Sequence, residues 1–426
     1  MVKAGLIIGG GIAGIQSALD LADQGFKVYL VEKNLSIGGK MAQLDKTFPT
    51  LDCAACIMTP KMVEAGRHLN IQLFTYSEIQ DIKKDGNIFK VKIIRKPRYV
   101  DETRCTGCGV CAQHCPIEVP NEFDEGLGVR KAIYVPFPQA VPLLYTIDKD
   151  SCIDCGLCEK LCQAEAIDRQ QQPNEVEVEV GAIVVSTGFE LFDVRKKEEY
   201  GYGIYPNVIT GLTLERLLSA SGPTGGHVVR PSDGKIPQRV AFVQCVGSRD
   251  EKSGNLYCSR VCCMYATKGA ILLKEHVPDV DVTIFYMDVR AYGKGFEEFY
   301  QRAKQEFGIK YVRGRVAEIV EDPNTQNLFI RAENTETGEI LEHEVDMAVL
   351  SAGLVSPRDD NFEKILPIPV SDDGFFATLN PKSDPVTTKM EGVFVAGVAE
   401  SPKDIPDAVI QASAAAMKAS SFLKEW

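Results

Sequence analysis

The sequence predicts an α/β protein with two dinucleotide-binding units and a cysteine-rich insert. Three observations predict this fold class. A glycine-rich turn follows an apolar strand at residues 6–8, two closely spaced cysteine runs occupy residues 105–162, and a short strand at residues 392–397 precedes a helix of small residues. Strand–turn–helix units of this kind build parallel sheets that bind ligands at the carboxyl ends of their strands.

The composition is that of a globular protein with more than one domain. The chain has 426 residues, of which 45% are hydrophobic and 25% charged, and this length predicts two or three domains. The net charge of −12, with no block of lysine or arginine, argues against nucleic acid or an anionic membrane as partner. No apolar run reaches about 18 residues, so we expect no membrane-spanning helix.

The cysteine content indicates the compartment. The apolar residues 6–8 run directly into glycines, as in a buried strand and unlike a signal peptide. Fourteen cysteines in such a chain are typical of cofactor ligands in a reducing environment, so we expect a cytoplasmic protein.

The first 32 residues fit a Rossmann-type β-α-β unit. The sequence GGGIAG at residues 9–14 matches G-x-G-x-x-G between a predicted strand and a predicted amphipathic helix. Gly9 allows the tight turn, Gly11 lets the backbone approach a pyrophosphate, and Gly14 lets helix and strand pack closely. Glu32, at the end of the second strand, would accept hydrogen bonds from ribose hydroxyls.

The next segment favours FAD over NAD. A second glycine pair, Gly38-Gly39, follows the acidic residue and resembles the pair that positions FAD in two-dinucleotide-binding flavoproteins; the alternative is an ordinary glycine turn. The closing strand and helix N-terminus near residues 392–416 lie against the flavin in that class. The residues that we expect to bind FAD are Gly9, Gly11, Ala13, Gly14, Glu32, Lys33, Gly39, Lys40, Gly188, Gly397 and Gln411.

The two cysteine runs both have the spacing C-x2-C-x2-C-x3-C, which is typical of paired 4Fe–4S clusters. In such pairs the fourth cysteine of each run binds the cluster of the other run. The predicted ligand sets are therefore Cys105, Cys108, Cys111 and Cys162 for one cluster, and Cys152, Cys155, Cys158 and Cys115 for the other. A zinc ribbon would need only four ligands, and disulfides would need an oxidising compartment.

These features divide the chain into five segments. We predict an FAD-binding domain in three parts (1–97, 166–234 and 345–426), an inserted ferredoxin domain (98–165) and a second nucleotide-binding-like domain (235–344). The proline-bearing stretch between the cysteine runs is either an extended excursion over the flavin domain or a loop for partner docking.

The second nucleotide-binding-like domain carries thiols where a pyridine-nucleotide reductase carries glycines. Its first turn reads QCVGSR (244–249), so direct NAD(P)H binding is not expected. Cys245, Cys258, Cys262 and Cys263 could together furnish four ligands for a third cluster, or they could be buried free thiols. The pair Cys53 and Cys56 could form a redox-active disulfide or complete a cluster with another polypeptide.

Taken together, these motifs resemble the A subunit of heterodisulfide reductase. The matching segments are GGGIAG, the double ferredoxin motif, TFPTLDCAACIMTPKM (47–62), FVQCVGSRDE (242–251), YCSRVCCMYATKGA (257–270) and PKDIPDAVIQASAAA (402–416). The resemblance implies a thioredoxin-reductase-like FAD core with an inserted two-cluster ferredoxin. It also implies a third cluster on Cys245, Cys258, Cys262 and Cys263 beside the flavin, and a catalytic Lys268 near it. The match is to a short form, without the N-terminal cluster domain and C-terminal ferredoxin of long members.

The resemblance also implies a role in a complex of anaerobic, methanogenic metabolism. In that family the flavin is the proposed site of electron bifurcation. An electron pair from a hydrogenase or formate dehydrogenase module is divided between ferredoxin and a disulfide-reducing partner. The implied partners are B- and C-type subunits, a hydrogenase or formate dehydrogenase linker subunit, ferredoxin and a second A subunit.

Three other functions fit parts of the sequence. A pyridine-nucleotide-linked iron–sulfur flavoprotein would need the missing second glycine loop. An A-like subunit of a quinone-interacting complex would be expected to lack the double ferredoxin insert. A passive electron wire would hold a flavin that never turns over.

Overall fold

A computed structural model describes residues 3–357 and 360–424. The strands, in chain order, are β1 (Ala4–Ile8), β2 (Lys27–Val31), β3 (Ile71–Phe74), β4 (Ser77–Asp85), β5 (Ile88–Arg95), β6 (Glu118–Pro120), β7 (Val129–Lys131), β8 (Ile133–Tyr134), β9 (Thr146–Ile147), β10 (Asn174–Val180), β11 (Ala182–Val185), β12 (Glu190–Leu191), β13 (Val208–Thr210), β14 (Arg239–Val246), β15 (Asp281–Tyr286), β16 (Lys310–Arg313), β17 (Val316–Glu321), β18 (Leu328–Asn334), β19 (Glu339–Val345), β20 (Met347–Ala352), β21 (Leu354–Val355) and β22 (Val393–Val395). The α-helices are α1 (Ile12–Asp23), α2 (Ala54–Arg67), α3 (Val110–Gln113), α4 (Leu157–Leu161), α5 (Gly211–Leu218), α6 (Cys262–His276), α7 (Phe296–Gln305), α8 (Asp360–Ile365) and α9 (Ile405–Lys424). Short 3₁₀ helices lie at Gly39–Gln43, Glu122–Asp124, Val194–Lys196, Glu198–Tyr200, Glu251–Ser253 and Gly397–Ala399.

The chain forms two compact units. The first comprises residues 1–42, 55–189 and 356–426, and the second comprises residues 43–54 and 190–355. The five-segment division made from the sequence stays a prediction. Among the described residues, no helix combines the length and apolar character that crossing a bilayer requires.

The first unit is built on a parallel sheet with the strand order β22-β11-β1-β2-β3. All five residues of β1 are buried, as expected for a central strand covered on both faces. Helix α1 packs against α9 through small residues, among them Ala18, Ala412 and Ala416, which let the two backbones approach closely. The sheet therefore joins strands from both ends of the chain.

A second, antiparallel sheet of the first unit has the strand order β10-β5-β4. Strand β10 reads NEVEVEV, and its valines point inward while its glutamates stay exposed. This alternation is the period-two pattern of a half-buried strand. The cysteine-rich insert leaves this sheet after β5, and the chain returns to the sheet at β10.

The insert has two short antiparallel ladders, β6–β7 and β8–β9, and two short helices, α3 and α4. Its small core comprises Val100, Ile133, Ile147 and Ala166, with six of the predicted ligand cysteines packed around it. Because this core is so small, we expect the cofactors to provide much of the insert's stability.

The second unit repeats the nucleotide-binding architecture. Its parallel sheet has the strand order β13-β20-β14-β15-β16. A separate antiparallel sheet, β17-β18-β19, is formed by the strands between β16 and β20 in the sequence. Helix α6 follows β14, and α7 follows β15, so each of these strands is followed by a helix, as β1 is by α1.

A buried ion pair lies inside the second unit. Asp250 and Lys197 are 3% and 5% exposed and contact each other, and Ser253 Oγ donates to Asp250 at 2.9 Å. Burial alone would raise the pKa of Asp250, but the hydrogen bonds from Lys197 and Ser253 outweigh it and lower the pKa to about 2. The stabilisation is therefore present above the unfolded pKa of about 4 and is lost as the pH falls towards 2.

We expect Asp250→Asn to lower the free energy of unfolding at neutral pH by about 2 kcal/mol, because it leaves the buried Lys197 with only the more distant Glu199, 3.8 Å away, as its counter-charge. Denaturant unfolding followed by circular dichroism measures this loss. The control is Asp281→Asn, which removes a surface pair with Lys310 and should cost less than about 1 kcal/mol. Equal effects of the two substitutions would contradict the assignment.

Candidate cofactor sites

The glycine turn between β1 and α1 has the geometry of a phosphate-binding turn. Gly9 has a φ of +103°, which an L side chain rarely adopts. A Cβ on Gly14 would lie 1.8 Å from the Gly9 carbonyl oxygen and 2.7 Å from Ser186 Oγ, so only glycine fits. Gly11 differs, because a Cβ there would meet no atom within 4 Å. The open side of Gly11 is where the sequence places the pyrophosphate.

Glu32 closes the turn from the end of β2. Its Oε2 accepts the Gly10 N–H at 2.7 Å, and its Oε1 accepts the Asn34 N–H at 2.8 Å. The side chain is 6% exposed, and burial raises the pKa of its carboxyl group although these hydrogen bonds oppose the shift. Asn34 Nδ2 also donates to Oε1 at 2.8 Å. Glu32 is thus fixed beside the glycine turn, and its Oε2 can accept one further hydrogen bond from a ligand.

Two other predicted FAD residues of the first unit lie close to the same turn. A Cβ on Gly39 would lie 3.0 Å from the Gly11 Cα, and a Cβ on Gly397 would lie 2.7 Å from the Ala13 Cβ. Gly188, just beyond β11, has a φ of +73°. The turn, the second glycine pair and the strand end before α9 therefore converge, although Gly39 and Gly397 are separated by most of the chain.

Gln411 carries the polar group that best indicates a missing ligand. Its Nε2 donates to the Pro385 carbonyl at 2.9 Å, but its Oε1 is buried and accepts no hydrogen bond. A buried unsatisfied oxygen is costly unless a ligand supplies the donor. Lys33 is exposed and Lys40 is partly buried, so both can reach solvent-facing parts of a dinucleotide.

An added methyl group should have different effects at Gly11 and at Gly14. Gly11→Ala should fold with wild-type stability but bind FAD at least tenfold more weakly. Its Cβ has space in the free protein but would clash with a bound pyrophosphate. Gly14→Ala should lower the thermal midpoint even without FAD. Differential scanning fluorimetry and FAD titration separate the two effects. Wild-type FAD affinity in Gly11→Ala would contradict the assigned pyrophosphate position.

The two cysteine loops of the insert share one backbone design. Gly109 and Gly156 precede α3 and α4 with φ of +82° and +73°. Two residues before each of these glycines, Gly107 and Asp154 have φ of +70° and +56°. Asp154 is thus a non-glycine residue in the left-handed region, and its carboxylate pairs with Arg169.

The crossed ligand set is supported by one cavity of the insert. Cys115, Cys152, Cys155 and Cys158 all line it, although Cys115 belongs to the other run. Backbone N–H groups also point at sulfur, from Asp154 to Cys152 and from Ala166 to Cys162, each at 3.4 Å. Such N–H···S bonds are a means by which proteins raise cluster potentials.

Double substitutions test the crossing. Cys115→Ala should lose about four irons per chain, and adding Cys155→Ala should lose no more, because both ligands belong to one cluster. Adding Cys108→Ala to Cys115→Ala should instead remove about eight. Iron analysis of anaerobically purified protein measures this. The reverse pattern would contradict the crossed assignment.

The third thiol group lies in the second unit. Cys245 is in β14 with a φ of +59°, Cys262 and Cys263 begin α6, and Cys258 lies in the loop between them. Burial, together with the neighbouring Cys263, raises the pKa of Cys245 to about 12, and burial raises that of Cys262 well above its usual range. The Arg260 N–H points at Cys258 sulfur at 3.3 Å. Thiols so buried need a bound metal to ionise.

The spacing of these thiols differs from that of the ligands of a single metal ion. In the described part of the chain, no three His, Cys, Asp or Glu side chains are close enough to hold one metal ion. The four irons of a cubane stand at separate corners, so its thiolates lie farther apart than the ligands of one ion. Cys53 and Cys56 are disulfide-bonded, whereas the twelve other cysteines are free.

Lys268 lies on α6 and is 1% exposed, so it is not a solvated helix lysine. Its Nζ pairs with Glu215 Oε1 at 2.5 Å and donates to the Lys46 carbonyl at 2.6 Å. Glu215 also accepts the Asp45 N–H at 3.0 Å. Sequence reasoning missed Glu215, because nothing in the TLERLL segment distinguishes it from a surface helix residue.

The turn after β14 is closed to a dinucleotide. A Cβ on Gly247 would lie 2.1 Å from the ring of Phe192, so this aromatic side chain packs directly on the turn. Phe192 is 7% exposed. The space that a pyrophosphate would need at this turn is therefore filled by a side chain.

Two segments of the chain match known protein families. Residues 6–52 match the family of FAD dependent oxidoreductases, and residues 104–167 match the 4Fe-4S dicluster domain. The matches support FAD and iron–sulfur clusters as the cofactors, and the oxidoreductase class.

Curated relatives match almost the whole chain. The iron-sulfur A subunit of the CoB–CoM heterodisulfide reductase of Methanocaldococcus jannaschii is 61% identical over 97% of this chain. The A subunit of the H(2)/formate:CoB-CoM heterodisulfide,ferredoxin reductase of Methanococcus maripaludis is 62% identical over 97%. The chain is a homologue of the heterodisulfide reductase A subunits. It spans 63% of the length of each of these two relatives.

The solved structures that match this chain do so at low sequence identity, so they indicate only its fold. Thioredoxin reductases of Lactococcus lactis and T. acidophilum match with TM-scores of 0.55 and 0.56 at 17% and 16% identity. The first comparison covers all of both chains, and the second covers 98% of each. The predicted thioredoxin-reductase-like fold, with its inserted dicluster domain, is confirmed.

Proposed function

We propose that this chain is the FAD- and iron–sulfur-containing electron-distributing subunit of a heterodisulfide-reductase-like complex. Electrons from a hydrogenase or formate dehydrogenase module would be divided here between ferredoxin and a disulfide-reducing subunit. The observation that carries the proposal is that one unit contains both a dinucleotide cradle around Gly11 and a cavity lined by Cys115, Cys152, Cys155 and Cys158. A flavin exchanges electrons singly or in pairs, whereas each cluster passes them singly.

The residues of the first unit would bind and orient FAD and two iron–sulfur clusters. The glycine turn and the N-terminus of α1 would hold the pyrophosphate, Glu32 the ribose, and Gln411 would offer its free Oε1 to a ligand donor. The eight cysteines of the insert would hold two clusters. In that arrangement the protein supplies fixed positions and sets the potentials through burial and hydrogen bonds to sulfur.

Each cysteine run presents one thiol to solvent, which suits electron exchange with partners. Cys108 and Cys155 are exposed, whereas the other thiols of the insert are partly buried. Ile153 and Leu157, which flank Cys155, are 62% and 41% exposed. An apolar rim around an exposed cluster ligand is typical of a transient protein contact. The partners that we propose are B- and C-type subunits, a linker subunit, ferredoxin and a second A subunit.

The second unit would hold a third cluster on Cys245, Cys258, Cys262 and Cys263. The placement of these thiols at the end of β14, in the loop that follows and at the start of α6 supports a shared ligand group, in which Cys262 and Cys263 are buried and Cys245 and Cys258 are partly buried. Lys268 brings a buried positive charge that Glu215 balances.

Two observations disfavour the pyridine-nucleotide alternative. The turn after β14 lacks the required glycines, and Phe192 covers Gly247. The dicluster insert, matched over residues 104–167, disfavours the quinone-linked alternative.

The test uses anaerobically purified chain with its cofactors. Reduced ferredoxin should bleach the flavin absorbance, whereas NADH and NADPH should not. The chain should carry about twelve irons, and Cys245→Ala should lose about four of them. About eight irons in the unaltered chain would exclude the third cluster, and sixteen would require Cys53 and Cys56 as further ligands.

Flavin bleaching by NADPH at the rate seen with ferredoxin would favour the pyridine-nucleotide alternative. A flavin that accepts no electrons from any of these donors would reduce the chain to a passive wire. Absence of flavin and iron from the purified chain would remove the basis of the proposal.

A further inference from the structure

The junction between the flavin cradle and the iron–sulfur insert is built around one buried arginine. Arg98 lies at the start of the insert, just after β5, and is 1% exposed. Its Nη2 donates to the Leu35 carbonyl at 2.9 Å and to Thr75 Oγ1 at 2.6 Å. Its Nη1 donates to Thr146 Oγ1 at 2.9 Å. One guanidinium therefore joins three separate segments.

These three segments belong to different parts of the first unit. Leu35 and Thr75 follow β2 and β3 at the carboxyl edge of the parallel sheet, where α/β folds bind nucleotides. Thr146 lies in β9 of the insert, and the Ile147 N–H donates to the Arg98 carbonyl at 2.9 Å. Glu102, 3.2 Å from Arg98 Nε, balances the charge.

A second contact joins the insert to the same loop. Ser36 Oγ accepts the Val141 N–H at 2.8 Å, and the Ile37 N–H donates to the Val141 carbonyl at 3.1 Å. The insert therefore bonds all three consecutive residues Leu35, Ser36 and Ile37.

The loop that carries these bonds is also a wall of the nucleotide cradle. It begins after Glu32, whose carboxylate holds the Gly10 N–H, and it ends at Gly38, whose N–H donates to the Gly10 carbonyl at 2.8 Å. A Cβ on Gly10 would lie 2.6 Å from the Ile37 side chain, so Ile37 packs under the turn. A ligand that orders the cradle would therefore also order Leu35, Ser36 and Ile37, which are hydrogen-bonded to the insert.

We propose that FAD binding and the seating of the iron–sulfur insert are thermodynamically coupled through this loop, with Arg98 as the positioning residue. The coupling rests on the proposed function, since it requires FAD in the cradle. Linkage makes the effect reciprocal: FAD fixes the insert, and a fixed insert tightens FAD binding by the same factor. Arg98 touches neither cofactor ligand set directly.

The experiment compares variants of the cluster-loaded, FAD-depleted chain. Arg98→Met should raise the FAD dissociation constant at least tenfold while the iron content stays at the wild-type value. In wild type, FAD should slow backbone hydrogen exchange in residues 129–147, and ADP should slow it too, because the loop serves the adenosine half. Neither ligand should slow this exchange in Arg98→Met.

The matched control is Arg104→Met. Arg104 is an exposed arginine of the insert whose partners, Asp101 and the Glu165 carbonyl, both belong to the insert. It should keep wild-type FAD affinity and ligand-dependent exchange. Arg98→Lys keeps the charge but cannot reach three acceptors at once, so it should resemble Arg98→Met. Wild-type FAD affinity and ligand-dependent exchange in Arg98→Lys would overturn the proposal that the three hydrogen bonds of the guanidinium, rather than its charge, position the loop.

If Arg98→Met does not fold, Ser36→Ala decides, because it removes only one hydroxyl from the second contact. It should reduce the FAD-dependent protection of residues 129–147, and unchanged protection would overturn the coupling. FAD affinity of Arg98→Met equal to that of Arg104→Met would also overturn it, while leaving the proposed function intact. An unaltered chain that binds no FAD or no iron would overturn both.

Discussion

The close approach of Gly14 to the Gly9 carbonyl is the constraint on which the first unit depends. With 1.8 Å available for a Cβ, no side chain fits between the first turn of α1 and the end of β1. This approach aims the helix N-terminus along the sheet edge and leaves Gly11 open on its other side. This contact fixes the glycine turn. The turn in turn positions Glu32 and the loop of residues 35–37, which is hydrogen-bonded to the insert.

The two units use the same architecture for different chemistry. In the first, the turn after the leading strand stays open for a phosphate. In the second, Phe192 fills the corresponding turn, and the helix that follows begins with Cys262 and Cys263. A helix N-terminus favours negative charge, whether on a phosphate or on a thiolate-bound cluster. A small set of substitutions therefore converts a nucleotide site into a candidate metal site without altering the sheet.

The sequence identified those features whose chemistry is local. The cysteine spacing and the glycine turn are read from short stretches, because their ligands bind backbone or side chains that are neighbours in the chain. Arg98 and Glu215 could not be singled out. Arg98 is one of 47 basic residues and contacts Leu35, Thr75 and Thr146 only through the tertiary fold. Asp154 likewise shows no glycine signature, yet its backbone adopts the glycine-like conformation.

The position of β22 has a consequence for biosynthesis. This strand pairs with β11 some two hundred residues earlier in the chain, and Gly397 beyond it packs on Ala13. While the ribosome is still making the second unit, the first sheet has an unpaired edge at β11, which invites pairing with other nascent chains. The glycine turn of the first unit cannot gain this neighbour until β22 and Gly397 have been synthesised. Ligand binding at the turn therefore waits until the second unit has been made, and the open edge of β11 needs shielding until then.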